Sequence, residues 1–236
     1  MSSINHNPVQ FPLTKLVYAL SGIVLVSGIY VTLLLELLRA SFRTPGTWFH
    51  VSPGVLVVNA NAAMLLLFLL TMLALIWWYR SSGAVFAWNF GKGTSRAIGI
   101  GVFAGLILSL LGCALSYRSP DLSLQVLLLS WGISIKGIPQ LLALFVVLPI
   151  AGEMVFSGIV FGTLSEHVSI PAAAIGSTLA FAFIWPLFDV ATRLLLGLTS
   201  AILFYRTRSL VAPIAANVVV TSCICIFIIL RSLRVL

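Results

Sequence analysis

The amino-acid sequence predicts an all-α fold, a polytopic bundle of seven or eight membrane-spanning helices. Three observations predict it. Hydrophobic residues make up 61% of the 236-residue chain and charged residues only 8%, whereas soluble domains carry about 45–50% and about 25%. The apolar residues gather into runs that can cross a bilayer, for which about 20 residues suffice. The 13 Lys+Arg, set against 5 Asp+Glu, are scattered between those runs, where cations anchor helices at the interface and set topology. This composition excludes a water-soluble fold and a disordered chain. The sequence has no basic stripe, zinc-finger spacing or RNA-binding signature, so the net charge of +8 implies a lipid bilayer as partner and no nucleic acid.

The spans are taken in chain order. The polar N-terminus ends at Lys15, and the run 16–38 is too long for the apolar part of a cleaved signal and lacks an A-x-A exit. It is read as a retained span. Ser2 stands where N-myristoylation needs glycine, and no prenylation box closes the chain, so no lipid anchor is expected. The second run, 54–79, ends in Trp77, Trp78 and Tyr79, and Phe86, Trp88 and Phe90 follow, as in an interfacial aromatic belt. Gly91-Lys92-Gly93-Thr94 resembles part of a phosphate loop, but Phe86 occupies the position of the required first glycine. Further spans are read at 97–117, 139–163, 170–187, 190–205 and 210–230, with a weaker one at 120–138 between Pro120 and Pro139. Gly101-x-x-x-Gly105 and Gly158-x-x-x-Gly162 allow close helix packing. No internal repeat or long linker divides the chain. Residues 1–236 are read as one integral-membrane domain, with N-terminal spans in 1–138 and a core bundle in 139–230.

Charge decides between seven and eight spans. If 120–138 crosses, Lys15, Arg80, Lys92, Arg96, Lys136, Arg193, Arg231 and Arg234 share one side, against Arg39, Arg43, Arg118, Arg206 and Arg208. If it does not, the cations divide almost evenly. The positive-inside rule therefore favours eight spans with both termini cytoplasmic.

Polar residues inside spans carry the chemical information, because burying them is expensive. Glu36 with Arg39, and Asp189 with Arg193, are spaced as interfacial pairs on a helix. Asn59 and Asn61 suit interhelical hydrogen bonds. Glu153 differs, being a lone carboxyl about 20 Å along an apolar helix from Pro139. Ser157, four residues on, shares its face. The histidines His6, His50 and His167 all lie outside the spans, and no H-E-x-x-H or G-x-S-x-G is present, so no metal or cofactor is expected. Cys113, Cys223 and Cys225 sit within apolar runs and read as small packing residues. Cys223 and Cys225 point to different faces of a helix and cannot chelate one metal.

Three blocks carry a resemblance. Pro149 to Gly158 reads PIAGEMVFSG, Ser177 to Trp185 reads STLAFAFIW, and Phe204 to Thr221 reads FYRTRSLVAPIAANVVVT. In order, spacing and apolar framing they resemble the CPBP family of intramembrane proteases, which includes CAAX-processing, bacteriocin-processing and abortive-infection proteins. The resemblance implies the helical bundle of an intramembrane glutamic protease. It also implies a glutamate that activates water, with histidines and an asparagine holding the oxyanion. Of the polar motif positions only Glu153 keeps the family's residue. Gly152 stands for the first glutamate, Ser157 for the arginine, Trp185 and Asn217 for the histidines, and Thr221 for the asparagine. The chain thus resembles a degenerate member. Losing a glutamate and an arginine together leaves the buried charge balance unchanged.

Three functions follow. The favoured reading is a catalytically inactive membrane scaffold or accessory subunit in a bacterial inner-membrane complex, with a membrane protein as partner. The second is an active endopeptidase with Glu153 as general base and Asn217 as hydrogen-bond donor, acting on a peptide substrate. The third is a small-molecule transporter.

Overall fold

A computed structural model describes residues 13–18, 20–22, 25, 53–81, 93–118, 143–184 and 188–232. All regular structure among them is helical, as the sequence predicts. Residues 13–18 are helical. They are followed by α1 (Pro53–Ser81), α2 (Thr94–Arg118), α3 (143–167), α4 (Ile170–Ile184), α5 (Val190–Thr207) and α6 (Val211–Ser232). Helices long and apolar enough to cross a membrane are found within Thr94–Leu115, Phe145–His167 and Val211–Arg231. Leu66–Ser81 and Ile170–Ile184 are shorter apolar helices. Most of the expected first span, the candidate at 120–138, and Glu36, Arg39 and Trp185 lie outside the described residues.

α3 is a composite. A π-helical turn, Ala143–Val147, leads into the α-helical Leu148–Glu153, then a second π-helical stretch, Met154–Phe161, and the α-helical Gly162–His167. Pro149 accounts for the first widening, because its ring clashes with the carbonyl four residues back and it has no N–H to donate. α3 and α4 make an antiparallel hairpin that turns at Val168 and Ser169. Near the turn a β-carbon on Gly176 would lie 3.0 Å from Leu164 Cδ1. Farther out Phe156 and Phe181 pack edge to face at 5.2 Å. α5 is started by Asp189, whose carboxylate accepts from the Thr192 amide at 3.0 Å and its hydroxyl at 2.7 Å. It ends at Arg208, left-handed at φ 52°, and Arg208 covers the Tyr205 ring at 4.9 Å. The main core joins Phe68, Met72 and Ile76 of α1 to Val155, Phe156 and Ile159 of α3, Leu196 of α5, and Val220, Ile224 and Ile228 of α6.

The two small-residue motifs behave differently. A β-carbon on Gly101 would fall 2.2 Å from the Ala212 carbonyl oxygen, and one on Gly105 2.8 Å from that of Ala216. Glycine is required there because the backbones of α2 and α6 touch. A β-carbon on Gly162 would meet nothing within 4 Å.

That seam fixes direction. Gly101 meets Ala212, Gly105 meets Ala216, and Gly112 meets Ile224, so α2 and α6 run parallel. α6 starts where α5 ends, and Phe161 of α3 packs on Phe204 of α5 at 5.8 Å, which puts the ends of α3 and α5 together. Tyr79, near the end of α1, lies close enough to Glu166, near the end of α3, to feel its charge. α2 therefore ends at the face of the bundle where α3 begins. Lys15 Nζ stands 6.0 Å over the Trp78 ring, at the face opposite Ser232. The eight-span reading would set α2 and α6 antiparallel, and the segment 120–138 on which it turns lies outside the described residues.

Two outcomes test this packing. Gly101→Leu should cost about 1–3 kcal/mol through forced separation of α2 and α6, while Gly162→Ala should gain about 0.5–1 kcal/mol. Denaturant titration in micelles reads both, and equal effects would contradict the seam. Protease-cleavable tags at the two termini, in sealed vesicles of one orientation, should be one cut and one protected. Identical fates would refute the helix directions.

Candidate functional site

The arrangement of α3, α5 and α6 brings five polar side chains together in the interior. Glu153 ends the α-helical piece of α3 and has an exposure of 0%. Its Oε2 accepts from Ser157 Oγ at 2.6 Å, one turn on in the same helix. Its Oε1 accepts from Ser200 Oγ of α5 at 2.8 Å and from Asn217 Nδ2 of α6 at 2.8 Å. Asn217 Oδ1 in turn accepts from Thr221 Oγ1 at 3.2 Å. Ser157, Ser200, Asn217 and Thr221 are all buried. Beside this cluster Ser177 of α4 donates to the Phe156 carbonyl at 2.8 Å.

Each local feature has a cause. Polar groups sealed from water must find partners within the protein. A serine four residues beyond the glutamate lies on the same helical face and reaches its carboxyl. The buried residues of α5 are Thr192, Leu196, Gly197, Ser200, Ala201 and Leu203, and the small ones let α5 approach its neighbours, α4 at Gly197 and α3 at Ser200. A β-carbon on Gly197 would already lie 3.2 Å from Phe181 Cδ1. Asn217 uses its amide in both senses, donating to Glu153 and accepting from Thr221, which fixes its orientation.

The positions marked out by sequence therefore separate into three groups. Glu153, Ser157, Asn217 and Thr221 form one hydrogen-bonded chain, and Gly152, next to Glu153 in the chain, is buried. Trp185 lies outside the described residues, as do His6 and His50, and the side chains of Asn59 and Asn61 are likewise not described. His167 is at the far end of α3, about 20 Å along the helix axis from Glu153, where its Nδ1 donates to the Thr163 carbonyl at 2.8 Å. Ser200 was not singled out by sequence. A serine in a helix ordinarily bonds a carbonyl of its own preceding turn, so nothing in the sequence marks it as a partner for Glu153.

Chemically, the cluster offers one carboxyl, three hydroxyls and an amide. Among the described residues no group of three or more His, Cys, Asp or Glu side chains is placed to hold a metal. The partners of Glu153 are neutral, and none can take or give a proton near neutral pH. Such a set can bind and orient; by itself it supplies no acid–base pair.

Fold and cluster together define an integral membrane helical protein built around a buried glutamate. Residues 134–223 match the family described as type II CAAX prenyl endopeptidase Rce1-like, a CPBP-family domain. No curated protein and no solved structure matches the chain. The matched segment holds all of α3, α4 and α5 and the part of α6 that carries Asn217 and Thr221. It thus contains the whole hydrogen-bonded cluster.

Replacing Glu153 tests the cluster. Glu153→Gln keeps an acceptor for Ser200 and Asn217 and should alter stability by less than about 1 kcal/mol. Glu153→Leu strands buried donors on α3, α5 and α6 and should cost about 2–4 kcal/mol. If the leucine variant unfolds in detergent at the same denaturant concentration as the glutamine variant, the carboxyl is not what holds these helices together.

Proposed function

We propose that this protein is a catalytically inactive Rce1-like membrane protein that serves as a scaffold or accessory subunit of a bacterial inner-membrane complex. One observation carries the reading: both oxygens of the Glu153 carboxyl are engaged by Ser157, Ser200 and Asn217, at zero exposure. A general base must reach the water it activates, and an oxyanion needs donors aimed at open space where charge develops. Here the donors are aimed at the glutamate itself. The substitutions at Gly152, Ser157, Asn217 and Thr221 leave neutral groups at the matching positions, which favours retained packing over retained chemistry. The wide apolar faces left on α2 and α4, including Phe103, Leu110, Ile175 and Phe183, suit lipid or a helical membrane partner.

The alternative is an endopeptidase in which Glu153 exchanges its present hydrogen bonds for a water and Asn217 turns to the substrate carbonyl. Glu153 favours it as the one family position unchanged. A transporter has less support, since one buried carboxyl traces no path across the bundle.

Native purification in mild detergent, followed by mass spectrometry, separates these functions. The scaffold reading expects a stoichiometric membrane protein, held equally by the wild-type chain and Glu153→Gln, and no cleavage of a prenylated C-terminal peptide. A solitary protein that cuts such a peptide, and stops cutting it as Glu153→Gln, would replace this reading with the protease.

A further inference from the structure

α2 and α5 are antiparallel neighbours, and two exposed rows of side chains flank their outer seam. Ala97 of α2 clusters with Leu203 of α5 near one end, and a β-carbon on Gly112 would lie 3.5 Å from Thr192 Cγ2 near the other. In that register Arg96 stands close to the level of Arg206, Ile100 to that of Ile202, and Ile107 to that of Leu195. The spacings agree as well. Steps of four and seven residues keep Arg96, Ile100 and Ile107 on one edge of α2, and Arg206, Ile202 and Leu195 on one edge of α5. Each residue turns a helix by about 100°, which sets the first row on the far side of the α5 contact from Gly101, Gly105 and α6. The second row lies on the far side of the α2 contact from Ser200 and α3. The two rows thus border one groove, and all six residues are exposed.

Arg96 and Arg206 head the rows at the face of the bundle where α5 ends. Among the described residues neither forms an ion pair. Arg208 adds a third exposed cation near Arg206, over the Tyr205 ring at 4.9 Å. Glu166 is the one described carboxylate at this face, and it belongs to the end of α3 beside Tyr79. The described part of the N-terminal helix packs on α1 instead, where Lys15 covers Trp78.

We propose that the outer groove between α2 and α5 binds an anionic phospholipid, with its phosphate at Arg96 and Arg206 and its acyl chains along the two apolar rows. Charge complementarity selects the headgroup, because basic pockets between membrane helices attract phosphate and arginine suits its geometry. The rows select the rest of the molecule. A free phosphate would use the arginines alone, whereas a lipid uses the arginines and the apolar edges beneath them together. The site lies outside the glutamate cluster, so it does not depend on whether Glu153 is catalytic.

The test uses the full-length protein in mild detergent, mixed with equal amounts of phosphatidylglycerol and phosphatidylcholine, with native mass spectrometry to read what stays bound. Phosphatidylglycerol should be retained in preference by about tenfold. The double variant Arg96→Gln with Arg206→Gln should lose the preference, and Arg80→Gln, at the same face on α1, should keep it. In proteoliposomes, a phosphatidylglycerol with a photoreactive acyl chain should crosslink to peptides of α2 and α5 in the wild-type protein. Equal retention of the two lipids, a preference that survives in the double variant, or crosslinks confined to α1 and α4 would overturn the site. So would release of the lipid by inorganic phosphate, which would make this a free-phosphate site, or an acidic protein segment crosslinked in the lipid's place.

Discussion

The carboxyl of Glu153 is the constraint on which the arrangement of α3, α5 and α6 depends. Inside a bilayer a polar group has no water to fall back on, so its partners must come from neighbouring helices. Ser157 is supplied by the same helix, but Ser200 and Asn217 come from two others, 47 and 64 residues away in sequence. A shift of one residue in α5 or α6 would turn its polar side chain by about 100° and leave the glutamate short of a partner. The network therefore fixes rotation and depth for two helices at once. Apolar contacts alone do this poorly in lipid, where hydrocarbon is equally available on every face.

For Asn217 to reach Glu153, α6 has to be pressed into the bundle from behind. α2 does this, and Gly101 and Gly105 are what let it come close enough. The aromatic pairs work in the same direction. Phe156 on Phe181 and Phe161 on Phe204 tie α3 to α4 and α5, each adding about 0.5–1.5 kcal/mol. The π-helical stretch that follows Glu153 is compatible with this packing, since the Phe156 carbonyl inside it also receives Ser177.

Much of the fold was legible in the sequence, because a long apolar run can be satisfied in a membrane in few ways other than as a helix. The runs at 54–79, 97–117 and 210–230 correspond to α1, α2 and α6 within a few residues. Glu153 was legible for the same reason, as a lone acid in such a run. What could not be read was anything set by the rotation of one helix against another. Ser200 belongs to the cluster only because α5 turns that face to α3. Helix direction was equally hidden: a count of charges does not relate one helix to another, whereas one glycine contact relating residue 101 to residue 212 does. Both glycine motifs looked alike in sequence, yet an added β-carbon would collide with α6 at Gly101 and Gly105 and meet nothing at Gly162.

The segment that matches the Rce1-like family does not contain all of its own packing. α2 precedes the match, yet its glycines lie on the backbone of α6 at Ala212 and Ala216, one residue from Asn217. Ala97 and Ala104 extend the same contact with Leu203 of α5. Without α2 the small-residue face of α6 would be open to lipid chains, which fill a groove shaped for a glycine helix badly. α6 would then be free to rotate, and the hydrogen bond from Asn217 to Glu153 is the interaction most sensitive to that rotation. The polar cluster is thus coupled through α6 to a helix that contributes none of its members, and the helices before the matched segment are part of what positions it.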